Sequence, residues 1–166
     1  MADMVVRLTR RMDGTAVLKC VRADGTETWQ KQQGRQAMFF PLHDLTHYAV
    51  ETEFGFRSGF YGLIAAGWDI TDTEGTGPRG RLPPEAITVE ELVGSLAAER
   101  AGGTLWSAQD FNAQAAEYAE ANGLPQPPVW SEEDLRRVRK RVKVLLDRWS
   151  TLASGATLEL PFSHPR

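Results

Sequence analysis

The chain has almost no cysteine, the residue that forms the disulfides of many extracellular proteins and the ligands of sulfur-based metal sites. Cys20 is the one cysteine among 166 residues, which excludes a disulfide framework and a multi-cysteine zinc site. A lone thiol is typical of a reducing compartment. The opening residues Met1-Ala2-Asp3 lead directly into strand-like sequence, without the basic-then-apolar pattern of a signal peptide. These absences predict a cytoplasmic protein.

Long apolar runs and an excess of positive charge are also missing. The longest apolar run, residues 60–68, has nine residues and includes two glycines, whereas a membrane-spanning helix needs about 20. Lysine and arginine number 19 against 22 acidic residues, for a net charge of −3, and nucleic-acid-binding domains are usually basic. The content of 42% apolar and 25% charged residues is that of an ordinary globular protein. We therefore expect a single domain over residues 1–166, with no membrane segment.

Turn signals and alternation predict an antiparallel sheet. Asp13-Gly14 and Asp24-Gly25 separate three β-rich segments in the first thirty residues, which is typical of a meander of hairpins. Leu158, Leu160 and Phe162 alternate with more polar residues near the C-terminus. Such alternation predicts an edge strand with one buried face, which we expect to pair with the N-terminal meander.

Helical periodicity and capping signals fill the middle of the chain. Pro41 suits the first turn of a helix that ends at Gly55, and a glycine-spaced segment over residues 58–66 follows. Capping patterns at Thr88, Ser107 and Ser131 predict three further helices. The glycine- and proline-rich stretch 70–85 is predicted to be a long loop. The sequence thus predicts an α+β fold, with a small antiparallel sheet packed on about five helical segments.

The one segment with marked chemical character contains two of the three histidines, His43 and His47. A separation of four residues on a helix turns the second side chain by only about 40° from the first, so both rings project from one face. Paired histidines at this spacing are a common way for a helix to hold a divalent cation. The sequence therefore predicts a candidate site for zinc or another divalent metal, and a small metal-dependent enzyme if the site is catalytic, with the loop 70–85 covering it.

Carboxylates near the two histidines are candidates for the rest of the site. Glu51 lies on the same stripe of the helix and is the third candidate ligand, but it would sit about 12 Å along the axis from His43. Glu53 or a carboxylate of another element would then be needed to complete the metal shell, with Asp69 and Asp72 nearest in sequence. Asp44, three residues before His47, is the candidate for orienting its ring from outside the shell.

Two resemblances come with this segment. The run HDLTHYAVE over residues 43–51, followed by GFYGL over 59–63, resembles a small group of uncharacterised bacterial proteins of this size, and no activity comes with that group. The shorter pattern His-Asp-x-x-His resembles the zinc motif of the ubiquinone-biosynthesis protein family. That family has a glutamate twelve residues after the second histidine, where this chain has Gly59. The resemblance therefore extends to the five-residue motif and carries no role in ubiquinone biosynthesis.

Two other functions are compatible with the sequence. Histidines on an amphipathic helix are often structural, so the first alternative is a non-catalytic protein-interaction domain in which His43, Asp44 and His47 form a hydrogen-bonded cluster. The second is a nucleic-acid contact through the basic helix 136–143, which carries six cations in eight residues. Because the whole chain is net negative and no aromatic residue lies among those cations, nucleic acid is not the expected partner. The sequence leaves the oligomeric state open.

Overall fold

The computed structural model describes all 166 residues and has a four-stranded antiparallel sheet. The strands are β1 (Met4–Arg10), β2 (Ala16–Arg22), β3 (Glu27–Gln32) and β4 (Thr157–Phe162), in the order β3-β2-β1-β4. The Asp-Gly pairs form the turns between the first three strands. The C-terminal strand pairs with β1, with Val6 opposite Leu160 and Leu8 opposite Leu158. As an outer strand, β4 accommodates Pro161, which cannot donate a ladder hydrogen bond.

The helices lie between β3 and β4 in the chain. They are α1 (Phe40–Phe54), α2 (Phe60–Ala65), α3 (Pro84–Gly102), α4 (Ala108–Ala121) and α5 (Glu132–Ser150), with a 3₁₀ helix at Ile70–Glu74. The predicted α+β class, with its small antiparallel sheet and five helices, is confirmed. None of the helices combines the length and the apolar character that a membrane crossing requires.

Helix α1 is the central helix of the fold. Its eight consecutive residues from Asp44 to Glu51 are all buried, which is the pattern of a helix enclosed on all sides. It contacts both α3 and α5. Pro41 occupies its first turn, and Gly55 ends it in the left-handed conformation at φ 68°, as the sequence predicts. Polar groups on α1 are consequently held in an apolar interior.

The core joins the inner face of the sheet to the helices. On α5 the predicted capping box of Ser131 and Asp134 forms, and the apolar stripe that includes Trp149 is buried. The inward side chains of the sheet are buried too, and they belong to the same continuous apolar cluster as those of α5. These are Met4, Val6, Leu8, Ala16, Leu18, Cys20, Leu158, Leu160 and Phe162.

The segment between α2 and α3 differs from the predicted loop. Residues 70–74 form the 3₁₀ helix, which begins with a reciprocal capping box between Asp69 and Asp72. Helix α3 then starts at Pro84 rather than at Thr88, because a proline in the first helical turn has no N–H to leave unpaired. The earlier start puts Glu90 and Glu91 in the body of the helix.

Candidate metal centre

The two histidines of α1 lie side by side, as their spacing predicts. The ring centroids of His43 and His47 are 4.7 Å apart, with the rings nearly perpendicular. His47 is buried, only 1% of it being exposed, while His43 is half-buried and also packs on Phe39. The face that both rings share is turned toward α3, which α1 contacts.

Glu90 of α3 is the carboxylate that joins the pair. One ligand atom from each of His43, His47 and Glu90 lies within 4.8 Å of the other two, and His47 Nε2 is 3.1 Å from Glu90 Oε1. Two imidazole nitrogens and a carboxylate oxygen at this separation form a set that can close on one divalent ion. Sequence reasoning missed Glu90, since no motif relates it to α1 and only the packing of α3 against α1 brings it there.

Glu51 lies on the opposite side of His47 from Glu90. Its Oε2 is 3.3 Å from His47 Nδ1, and its Oε1 accepts hydrogen bonds from the backbone N–H groups of Tyr61 at 2.9 Å and Gly62 at 3.1 Å. These N–H groups belong to the first turn of α2, where helix amides have no internal partner. Glu51 therefore holds the His47 ring from behind and is outside the group of three that surrounds a common point.

The space around Glu51 explains the glycine at position 59. A Cβ atom built on Gly59 would lie 2.5 Å from the Glu51 carboxyl group, which is much closer than van der Waals contact. The carboxylate of Glu51 thus fills the space that a side chain at 59 would need. This is a physical reason why position 59 carries glycine.

Asp44 belongs to a separate polar contact. It is buried and accepts a hydrogen bond from the side-chain amide of Gln32 on β3, and its backbone carbonyl accepts one from the Tyr61 hydroxyl at 3.0 Å. Neither histidine hydrogen-bonds to its carboxylate. Burial raises the pKa of Asp44 to about 7. Of the two carboxylates predicted near the histidines on α1, Glu51 is therefore the one that contacts the second nitrogen of His47.

The other acidic residues considered from sequence have their own partners. Glu53 forms ion pairs with Arg137 at 3.3 Å and Arg141 at 2.9 Å. Asp69 and Asp72 are occupied in the capping box of the 3₁₀ helix. All three lie outside the group that surrounds the histidines.

His47 carries the positive charge of the site. Burial by itself would lower the pKa of His47, but its contacts with the carboxylates of Glu51 and Glu90 outweigh burial and raise that pKa to about 10. Burial and, to a lesser extent, the neighbouring His47 charge together lower the pKa of His43 to about 4. Burial would raise the pKa of Glu90, but the contact with His47 prevails and lowers it. These shifts favour an imidazolium at His47, a neutral imidazole at His43 and a carboxylate at Glu90 at neutral pH.

The Nε2 atom of His47 is an unusual polar atom. It is buried and has no hydrogen-bond partner. The Oε1 atom of Glu90 is close enough to attract its charge, but the contact lacks the alignment of a hydrogen bond. Buried polar atoms almost always have a partner. This nitrogen therefore faces Glu90 and the other ligand group without a well-aligned hydrogen bond to either of them.

An apolar cavity of about 550 Å³ adjoins this group of residues. His43 and Glu90 form part of its wall, together with Glu91, which is only 7% exposed. Burial raises the pKa of Glu91, and its Oε2 atom has no hydrogen-bond partner. Leu82, from the segment predicted to cover the site, also lines the cavity.

The basic helix contributes no residue to this group, and its cations are mostly paired. Within 136–143, only Lys140 has no carboxylate partner. The ion pairs are Arg136 with Glu133, Arg137 with Glu53 and Asp134, Arg139 with Glu99, Arg141 with Glu53, and Lys143 with Asp147. Acidic neighbours of this kind reduce the positive potential that a phosphate backbone needs.

Comparison of the chain with models of protein families, with curated proteins and with solved structures finds no match. The two resemblances of the segment 43–63 therefore stay predictions. The chemistry of the site has to follow from its own geometry.

Proposed function

We propose that this protein binds a divalent metal ion, with zinc as the first candidate, through His43, His47 and Glu90, and that it is a small metal-dependent hydrolytic enzyme. The observation that carries the proposal is the buried Nε2 atom of His47, which has no hydrogen-bond partner and lies among the other two ligand groups. A cation at this point would satisfy that nitrogen and the two neighbouring groups together.

The type of ligands supports a catalytic ion over a structural one. Structural zinc sites are usually closed by four protein ligands rich in cysteine, whereas catalytic sites use three, commonly histidines with a carboxylate. Two histidines and Glu90 match the second kind. Such an ion supplies Lewis acidity and lowers the pKa of a bound water to about 7, which is why hydrolysis is the reaction class that we propose.

The residues behind His47 also fit this role. Metal-binding histidines usually present their second nitrogen to a carboxylate or carbonyl, which fixes the orientation of the ring. Glu51 does this at His47 Nδ1, and two backbone N–H groups of α2 hold Glu51 in turn. This chain of contacts leaves Nε2 as the nitrogen available for a ligand.

One observation favours the structural alternative. A protonated His47 between Glu51 and Glu90 makes a charge-balanced arrangement without any ion, which is what a structural histidine in an interaction domain would need. Metal uptake and its dependence on His43 separate the two proposals. A metal-binding role for His43 predicts that the protein takes up metal and that removing the His43 side chain abolishes this uptake, whereas the structural alternative predicts no metal uptake by the wild-type protein.

Zinc titration of the protein without a histidine tag, after treatment with a chelator, tests the proposal. We expect one zinc ion per chain. Glu90→Gln should weaken zinc binding by about a hundredfold or more, since even partners outside the metal shell contribute 10–100-fold. The matched control is Glu117→Gln, the same substitution at an exposed glutamate of α4, which should leave the affinity unchanged. Equal zinc affinities in the two variants would contradict the proposal.

Zinc binding should release about one proton per ion between pH 5 and 9. Of the three ligands only His47, with a pKa of about 10, carries a proton in this range that the metal must displace. The apparent zinc affinity should therefore rise about tenfold per pH unit. Calorimetry in two buffers of different ionisation enthalpy measures the number of protons released. A number near zero would show that zinc does not displace a proton from His47.

A further inference from the structure

The cavity beside the metal centre has the character of a binding site for a small apolar molecule. The cavity is lined by large apolar side chains from four parts of the chain. Its volume of about 550 Å³ lies within the range of ligand pockets. These side chains are Phe39, Leu82, Ile87, Trp106, Tyr118 and Leu124. Two of them are exposed to an extent that is unusual for aromatic residues, Phe39 at 43% and Tyr118 at 60%. Exposed aromatic groups at the edge of an apolar cavity often mark a place where something binds.

Two polar features lie on the wall of this cavity. At one of them, His43 and Glu90 belong both to the cavity and to the proposed metal ligands, so a molecule in the cavity would lie beside an ion held by them. At the other, Glu91 is more than nine-tenths buried and its Oε2 atom has no hydrogen-bond donor from the protein. An unpaired buried carboxylate oxygen calls for an N–H or O–H group.

We infer that the cavity binds the apolar part of an acyl amide, with the carbonyl head group at the metal centre and its N–H group near Glu91. An amide supplies both features in adjacent atoms, since its carbonyl oxygen is a ligand for a Lewis-acidic ion and its N–H donates a hydrogen bond. This inference rests on the proposed metal function and names the class of substrate on which it acts. The substrate is then an amide of an apolar acid.

Hydroxamic acids are suitable probes because they combine the carbonyl and N–H groups of an amide with a metal-binding oxygen. Acetohydroxamate carries the head group alone, and octanohydroxamate adds a chain for the cavity. Each buried CH₂ group contributes about fourfold in affinity. We expect octanohydroxamate to bind the zinc-loaded protein at least about a hundredfold more tightly than acetohydroxamate, as measured by calorimetry at fixed zinc occupancy.

Gly94 provides a way to fill the cavity without disturbing the metal ligands. It lies within α3 on the cavity wall, and a Cβ atom at this position would have no heavy atom within 4 Å. Gly94→Leu should therefore weaken octanohydroxamate binding tenfold or more, while zinc and acetohydroxamate bind as before. The matched control is Gly102→Leu on the same helix, which also has free space around its Cβ position and lies outside the cavity. It should leave all three affinities unchanged.

The outcomes separate this inference from the metal proposal. Zinc binding with equal affinities for the two hydroxamates, or with Gly94→Leu and Gly102→Leu behaving alike, would overturn the acyl-amide inference and leave the metal centre standing. If the wild-type protein does not bind zinc, both fail. Tight octanohydroxamate binding that is lost in Gly94→Leu and retained in Gly102→Leu supports the inference.

Discussion

Gly62→Ala is expected to lower the free energy of unfolding by about 3 kcal/mol or more, the upper part of the range for overpacking. A Cβ atom at Gly62 would lie 2.1 Å from the backbone carbonyl oxygen of Arg57. A backbone atom cannot move aside as a flexible side chain can, so α2 itself would have to shift. The backbone N–H groups of Tyr61 and Gly62 that hold Glu51 would shift with it.

The control for this prediction is Gly94→Ala. Gly94 is also a glycine within a helix, but its Cβ position is open. Alanine there should be neutral or should stabilise the protein by up to about 1 kcal/mol, because alanine favours the helix over glycine. Urea denaturation of the two variants measures the difference. Similar free energies of unfolding for Gly62→Ala and Gly94→Ala would show that the close approach of Arg57 to α2 does not exist.

The second large effect is expected from His47→Ala, which should abolish measurable zinc binding and also destabilise the metal-free protein. The loss of zinc follows from the loss of the ligand at the centre of the group. The loss of stability follows because truncation leaves the buried Glu51 carboxylate without its imidazole partner, at a cost of about 1–3 kcal/mol. His43→Ala should also abolish zinc binding but should change stability little, since the His43 side chain is half-buried and has no ion pair.

The pH dependence of these variants gives an independent test. The folded-state pKa of His47, about 10, is raised above its ordinary value of 6.5. The stability that His47 contributes without metal is therefore fully present below pH 6.5 and is lost as the pH rises toward 10. The difference in unfolding free energy between the wild type and His47→Ala should shrink over this window. A constant difference would show that His47 is neutral in the folded protein.

The parts of the fold that the sequence predicts well are those set by local chemistry. The two Asp-Gly turns require a positive φ at glycine, and the capping box of α5 satisfies backbone groups within four residues. The start of α3 was harder to predict, because Thr88 and Glu91 match a capping pattern although Pro84 already begins the helix. Within the body of α3, Glu91 is buried against the cavity instead of capping a helix.

The same distinction between local and tertiary contacts applies to the candidate site. The shared face of His43 and His47 follows from helical periodicity within one element, so the sequence is sufficient to predict it. Glu90 comes from another helix, and its place depends on how α3 packs on α1. The position of Glu51 behind His47 depends on the backbone N–H groups of α2 and on the glycine at 59. These contacts are tertiary, and no spacing in the sequence encodes them directly.

Crystals of the untagged protein grown with zinc, measured on both sides of the zinc absorption edge, test the central claim most directly. The metal proposal predicts one anomalous peak, about 2.0–2.2 Å from a ring nitrogen of His43, from Nε2 of His47 and from a carboxylate oxygen of Glu90. The Nδ1 atom of His47 should remain in contact with Glu51. Zinc bound at other residues only, with the His47 ring still held between the two carboxylates, would contradict it.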